Sequence, residues 1–130
     1  MVHVTAFFAG ILGFLFLALS ANVIKSRRKM RLALGDGGDA EIARKIRTQA
    51  NFAEYVPFAL LLMGIDEING FSHALLILIG IVLVVGRLSH AYGLLVAELA
   101  SIGDKRFKFR AIGVVCTFSV IAVLSLMAVL

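Results

Sequence analysis

Two long stretches, Val4 to Ile24 and Ala111 to Leu130, contain no charged residue, and they constrain this chain more than any other feature. A helix needs about 20 mostly apolar residues to cross the hydrocarbon core of a bilayer, because each residue adds about 1.5 Å of rise. Both stretches meet that length. Neither offers the polar face that a helix on a water-soluble domain turns outward, and the rest of the chain does not make up the deficit. Of its 130 residues 61% are hydrophobic and 16% charged, against about 45 to 50% apolar in soluble domains, with a mean hydropathy of +1.00. Too few polar residues remain to coat a soluble fold, so lipid must cover the surface.

The middle of the chain holds two subtler spans. Phe52 to Ile65 is apolar except for Glu54, and Phe71 to Val85 is apolar until Arg87, Ser89 and His90 interrupt. Each becomes long enough if its helix runs through those polar residues, which starts the second helix near Glu41 and takes the third to about Ala97. The expectation is an all-α integral membrane four-helix bundle, one domain over residues 1–130, with spans at about 4–25, 41–67, 71–97 and 107–130. Two full spans with a re-entrant pair is the alternative, disfavoured because irregular backbone exposed to lipid leaves amides without partners. "GIDEINGF" reads as a short polar turn with a helix-ending Gly70, making the second and third helices antiparallel neighbours. "LGDGGD" is a flexible loop with Asp39 as N-cap of the second helix.

Charge orients the bundle. Lys25, Arg27, Arg28, Lys29, Arg31, Arg44, Lys45 and Arg47 flank the first connection, Lys105, Arg106, Lys108 and Arg110 the third, while the second carries only acidic charge. The positive-inside rule places the basic loops in the cytoplasm and both termini on the far side. The same distribution argues against nucleic acid as a partner, since the basic residues flank apolar runs instead of forming a readout face. The N-terminus lacks the features of a cleaved signal, so the first span is retained. The one cysteine, Cys116, excludes an internal disulfide and reads as an inert thiol in an apolar helix. No metal site is expected.

"RTQANFAEYVPF" (47–58) is the unusual stretch, because polar residues enter just as an apolar helix begins. Arg47, Asn51, Glu54 and Tyr55 are spaced i, i+4, i+7 and i+8 and share one helical face with Arg44. Arg27 and Arg28 at the end of the first span, Arg87 and His90 in the third, and Arg106 and Arg110 before the fourth lie at the same level. The plain structural reading is glue: Arg47 with Glu54, or Glu54 with Arg87, pair inside the bundle. The functional reading rests on imbalance, since about six guanidinium groups face one buried carboxylate, Glu54. Arginine stays charged and grips carboxylates or phosphates bidentately, so a ligand with several carboxylates and one ammonium would match. Pro57 removes a helix hydrogen bond to Ala53 and either opens a pocket by bending the axis or is merely tolerated.

"RTQANFAEYVP" together with "IKSRRKMR" (24–31) resembles the MAPEG family, the membrane-associated proteins of eicosanoid and glutathione metabolism, and the likeness covers nearly the whole chain. Arg47, Asn51, Glu54, Tyr55 and Pro57 match the family's second-helix series, and "GRLSHAYGLL" (86–95) matches its third-helix segment through Arg87 and His90. The resemblance implies a homotrimer, of bacterial inner-membrane type, with glutathione as co-substrate bound between subunits near the cytoplasmic side. It implies that Arg47, Asn51, Glu54 and Tyr55 hold the peptide, with Glu54 on its ammonium. It also implies that Arg27 or Arg28 reaches in from the first helix, Arg87 and His90 come from the third, and Arg110 addresses the sulfur. The activity implied is that of a glutathione transferase or peroxidase acting on a lipophilic electrophile or hydroperoxide. Two departures stand out. Eicosanoid enzymes of the family place a Tyr where this chain has Leu94, and Tyr92 lies about 200° away around the helix. Arg106 competes with Arg110 for the sulfur. The rival readings are a non-catalytic glutathione- or lipid-binding membrane protein and a small four-span transporter built around one intramembrane Glu.

Overall fold

A computed structural model of the chain describes residues 1–97 and 107–130. Four α-helices and no strand occur among them: α1 (His3–Lys29), α2 (Ala40–Ile68), α3 (His73–Tyr92) and α4 (Lys108–Val129). A single π-helical turn, Gly93–Ala97, extends α3. Three segments, α1, α3 with its extension, and α4, are long and apolar enough to cross a bilayer. The remaining helix, α2, has 29 residues, about 43 Å of rise, with most of its charge in its first half and an apolar stretch in its second that ends at Asp66 and Glu67. The chain is the all-α membrane helical bundle expected of its sequence.

Local chemistry sets the helix ends. Asp39 Oδ1 accepts the Ile42 N–H at 2.9 Å, capping α2 as expected. At its other end Gly70 takes φ +87°. The Gly70 N–H donates to Glu67 O and the Phe71 N–H to Asp66 O, both at 3.1 Å. That pair of bonds is a Schellman stop, which requires a left-handed residue and so favours glycine there. The chain reverses at once into α3. Successive helices run antiparallel, which gathers Arg27, Arg28 and Lys29, Arg44 and Lys45, and Lys108 and Arg110 at one end of the bundle, with Asp66 and Glu67 at the other.

Packing is uneven. Both α1 and α4 lie against α2 and α3, and among the described residues they do not touch each other. The closest approach is α3 on α4, through glycines. A Cβ on Gly113 would stand 2.5 Å from His90 Cβ and 2.6 Å from Gly86 O, and one on Gly93 would stand 2.6 Å from Arg110 N. Lipid tails are as apolar as leucine, so membrane helices associate through close packing and hydrogen bonds, which small residues permit. Outward side chains such as Phe14, Leu17, Leu78 and Leu126 are exposed, as a lipid-facing surface requires.

The acidic end holds α1 in place. The N-cap of α1, Val2, has no side-chain cap. Instead Glu67 accepts the Val4 and Thr5 N–H groups at 2.9 and 2.8 Å. This carboxylate is 6% exposed and satisfies two of the free amides at the start of α1. Replacing it with alanine should cost about 1–3 kcal/mol, the penalty of leaving buried donors unpaired. The measurement is thermal unfolding in detergent. An unchanged midpoint would show that those amides find water without Glu67.

Candidate functional site

Three helices meet around a polar cavity of about 170 Å³. From α2 come Arg47, Asn51 and Tyr55 at i, i+4 and i+8, from α3 Arg87 and His90 at i and i+3, and from α4 Arg110, Val114, Thr117 and Phe118. The glycine contacts set this arrangement, because Gly113 lets α4 reach the backbone of His90 and Gly93 does the same at Arg110. Side chains that begin on different helices therefore converge.

Arg87 forms the floor. It is 2% exposed. Its Nη2 donates to Asn51 Oδ1 at 2.7 Å and its Nη1 to Thr117 Oγ1 at 3.2 Å. The Thr117 hydroxyl donates its own hydrogen to Gly113 O at 2.8 Å, leaving its lone pairs to the guanidinium. The group also lies 5.8 Å from the centre of the Phe52 ring, within reach of a cation–π contact. Among the described residues no carboxylate pairs with Arg87. Among the same residues its Nε has no hydrogen-bond partner, and neither has Nδ1 of His90, itself 2% exposed. A buried charge normally has a counter-ion, because removing an ion from water costs several kcal/mol. Here the partners are neutral.

The expected site residues divide. Arg47, Asn51, Tyr55, Arg87, His90 and Arg110 share the cavity. Glu54 does not line it and is not the buried carboxylate expected. Half exposed on the outer face, it binds Arg47 through two hydrogen bonds of 2.9 and 3.3 Å. Of the two pairings weighed, Arg47 with Glu54 forms and Glu54 with Arg87 does not. Arg27 and Arg28 also lie outside the cavity: Arg27 Nε donates to Gly35 O at 3.0 Å, and Arg28 is exposed. The reason is connectivity, since α1 does not contact α4. The convergence of about six guanidinium groups thus reduces, among the described residues, to Arg47, Arg87 and Arg110. Arg106 and Lys105 fall outside the described residues.

Other positions are now placed. Tyr92 points away from the cavity and packs edge-on against Phe109 at 5.0 Å, while Leu94 is buried at 3% exposure. Pro57 faces an apolar groove between α1 and α2, shared with Gly13 and Phe16, so it does not shape the polar cavity. Cys116 is partly buried. Thr117 and Phe118 were missed in the sequence. The signal for Thr117 was a hydroxyl in an otherwise apolar run, seven residues after Arg110 and so on its face. Phe118 meets the Tyr55 ring at 5.3 Å and walls one side.

Guanidinium groups beside an aromatic wall are chemically suited to an anion carrying a flat or apolar portion. A family model described as the MAPEG family matches residues 5–130. Two curated relatives, the inner membrane protein YecN of Escherichia coli strain K12 and that of Escherichia coli O6:H1 strain CFT073, are each 40% identical over 90 residues. Those residues are 69% of this chain and 69% of each relative.

Proposed function

This chain belongs to the MAPEG family, and from that premise we propose that it binds glutathione, stabilises the thiolate, and conjugates it to a lipophilic electrophile or uses it to reduce a lipid hydroperoxide. The observation that carries the reading is Arg87, a buried guanidinium whose described partners are all neutral, in a cavity shared with Arg47 and Arg110. Glutathione has two carboxylates, an ammonium and a thiol. Arg47, Asn51 and Tyr55 would hold its peptide, and Glu54, on the outer face beside Arg47, would take the ammonium. His90, which lines the cavity beside Arg87, would meet a polar group of the ligand.

The cavity of one chain, about 170 Å³, is smaller than the roughly 300 Å³ at the lower end of small-molecule sites. A second wall is therefore needed. A neighbouring copy in a homotrimer would supply it, bringing Arg27 or Arg28 across the subunit boundary from its own first helix. The exposed Arg47–Glu54 pair supports this arrangement, because a charged pair on the outer face of a membrane helix is better covered by protein than by lipid. We place the protein in a bacterial inner membrane, as the relatives' name suggests, with the basic end in the cytoplasm.

The chemistry asked of the protein is modest. A cysteine thiol has a pKa of about 8.5, and bringing it two units down takes about 2.7 kcal/mol. Arg110, at the first turn of α4, addresses the sulfur. The proton leaves to water and the electron pair stays on sulfur. The sulfur then bonds to an electrophilic carbon as a leaving group departs with its electron pair, or to a peroxide oxygen as the O–O bond breaks. In the second case the alkoxide takes a proton and the sulfenic acid condenses with a second glutathione to give disulfide and water. The test is glutathione binding and thiolate absorbance in detergent for the wild type, Arg47→Ala and Arg110→Ala. Arg47→Ala should weaken binding about tenfold or more, the loss of a charge-assisted hydrogen bond, and Arg110→Ala should lower thiolate absorbance. A wild-type protein that binds no glutathione would end the proposal.

A further inference from the structure

Three guanidinium groups line the cavity, and they are not equivalent as sources of field. Arg47 is half exposed and matched by the Glu54 carboxylate. Arg110 is partly exposed at the start of α4. Arg87 is 2% exposed and held by two neutral oxygens, Asn51 Oδ1 and Thr117 Oγ1. Among the described residues, the ionisable groups facing it are Arg47 and Tyr55 on α2, His90 on α3 and Arg110 on α4, none of them a carboxylate. A charge that is buried and uncompensated acts over distance with little screening, whereas an exposed, paired one is largely cancelled.

We propose that Arg87, fixed by Asn51 and Thr117, is the main source of the field that keeps bound glutathione as thiolate, with Arg110 acting beside it at closer range. This rests on the reading of the cavity as a glutathione site. Two features of the floor fit the role. The neutral partners hold both Nη groups without cancelling the charge, so the guanidinium is preorganised before any ligand arrives. Its Nε–H has no partner among the described residues, so no acceptor there offsets the charge. In the step itself the S–H bond breaks, the proton passes to solvent and the electron pair remains on sulfur. Arg87 exchanges no proton.

A merely structural Arg87 would tie α2, α3 and α4 together and nothing more. The experiment separates the two roles by titrating the thiol of bound glutathione, at saturation, against pH in the full-length protein. Affinity for S-methylglutathione, which has no ionisable thiol, is measured in parallel. With Arg87→Gln the thiol should titrate at least about one pH unit higher, a tenfold loss of thiolate at the lower pH, and because the titration is read at saturation this shift is separate from any change in S-methylglutathione affinity. Arg87→Lys keeps the charge and should bring the titration most of the way back. Asn51→Asp keeps the arginine and sets a carboxylate where an oxygen now lies 2.7 Å away. It should raise the thiol titration too, because the field is then compensated.

A wild-type titration in Arg87→Gln overturns the proposal, as does Arg87→Lys failing as fully as Arg87→Gln. Should Arg87→Gln not fold, Asn51→Asp decides alone, and an unshifted titration there is fatal. A wild type that binds neither ligand removes the glutathione reading and this proposal together. One that binds both and forms thiolate, with variants that do not move it, removes only this proposal.

Discussion

Gly113→Leu should yield a chain that enters the membrane but cannot close α4 on α3. The Cβ of any residue at position 113 would lie 2.5 Å from His90 Cβ, 2.6 Å from Gly86 O and 2.7 Å from His90 N. Two of those three atoms are backbone, so no rotamer change relieves the contact. Overpacking a well-packed interior costs about 1–3 kcal/mol even where side chains can move, and here the helices themselves must separate. They would carry His90 and Arg87 away from Thr117 and Arg110. Loss of the α3–α4 contact therefore predicts loss of the cavity, at least tenfold weaker glutathione binding and a lower unfolding midpoint in detergent. Gly10→Ala is the control, because a methyl there meets no atom within 4 Å and should leave the chain's own stability unchanged. Equal effects of the two substitutions would show that glycine's role at 113 is not close packing.

The sequence made the helices legible because their determinants are local. Apolar length, the Asp39 cap and the Gly70 stop each act within a few residues, and all three operate in the structure. The polar stripe on α2 was half legible. Helical spacing said that Arg47, Asn51, Glu54 and Tyr55 share a face, yet at about 100° per residue Glu54 sits about 20° to one side of Arg47, with Asn51 about 40° and Tyr55 about 80° to the other. That face straddles the edge of the bundle. Asn51 turns inward and is 7% exposed, whereas Arg47 and Glu54 turn outward. Periodicity fixes relative azimuth, but which azimuth faces the core depends on the packing of α4. The partners of Arg87 were hidden for the same reason, since Asn51 and Thr117 are distant in sequence and meet only because glycines let α3 and α4 approach.

The Arg47–Glu54 pair can be made to report its own purpose. Arg47→Glu alone leaves two carboxylates on the outer face of a membrane helix, and translocon scales put an acidic residue near a helix centre at about 2.5–3.5 kcal/mol. Like charges so close add to that cost. Poor accumulation in the membrane is the expected result. Adding Glu54→Arg restores opposite charges at the same two positions, about 20° apart around the helix, so accumulation should recover. Glutathione binding should not. If Arg47 grips a carboxylate of the ligand, the swapped protein presents a carboxylate at position 47 to an anion and loses a charge-assisted hydrogen bond worth about 1.5–3 kcal/mol, roughly 10- to 100-fold in affinity. If the pair exists only to neutralise itself, its sense is immaterial and the swap should rescue accumulation and binding alike. The double-mutant cycle is suited to this question because the two residues touch, at 2.9 and 3.3 Å, so their effects are coupled and not additive. Recovery of the fold without recovery of the ligand would place Arg47 in the binding site. Recovery of both would leave the buried, uncompensated Arg87 to account for anion binding without it.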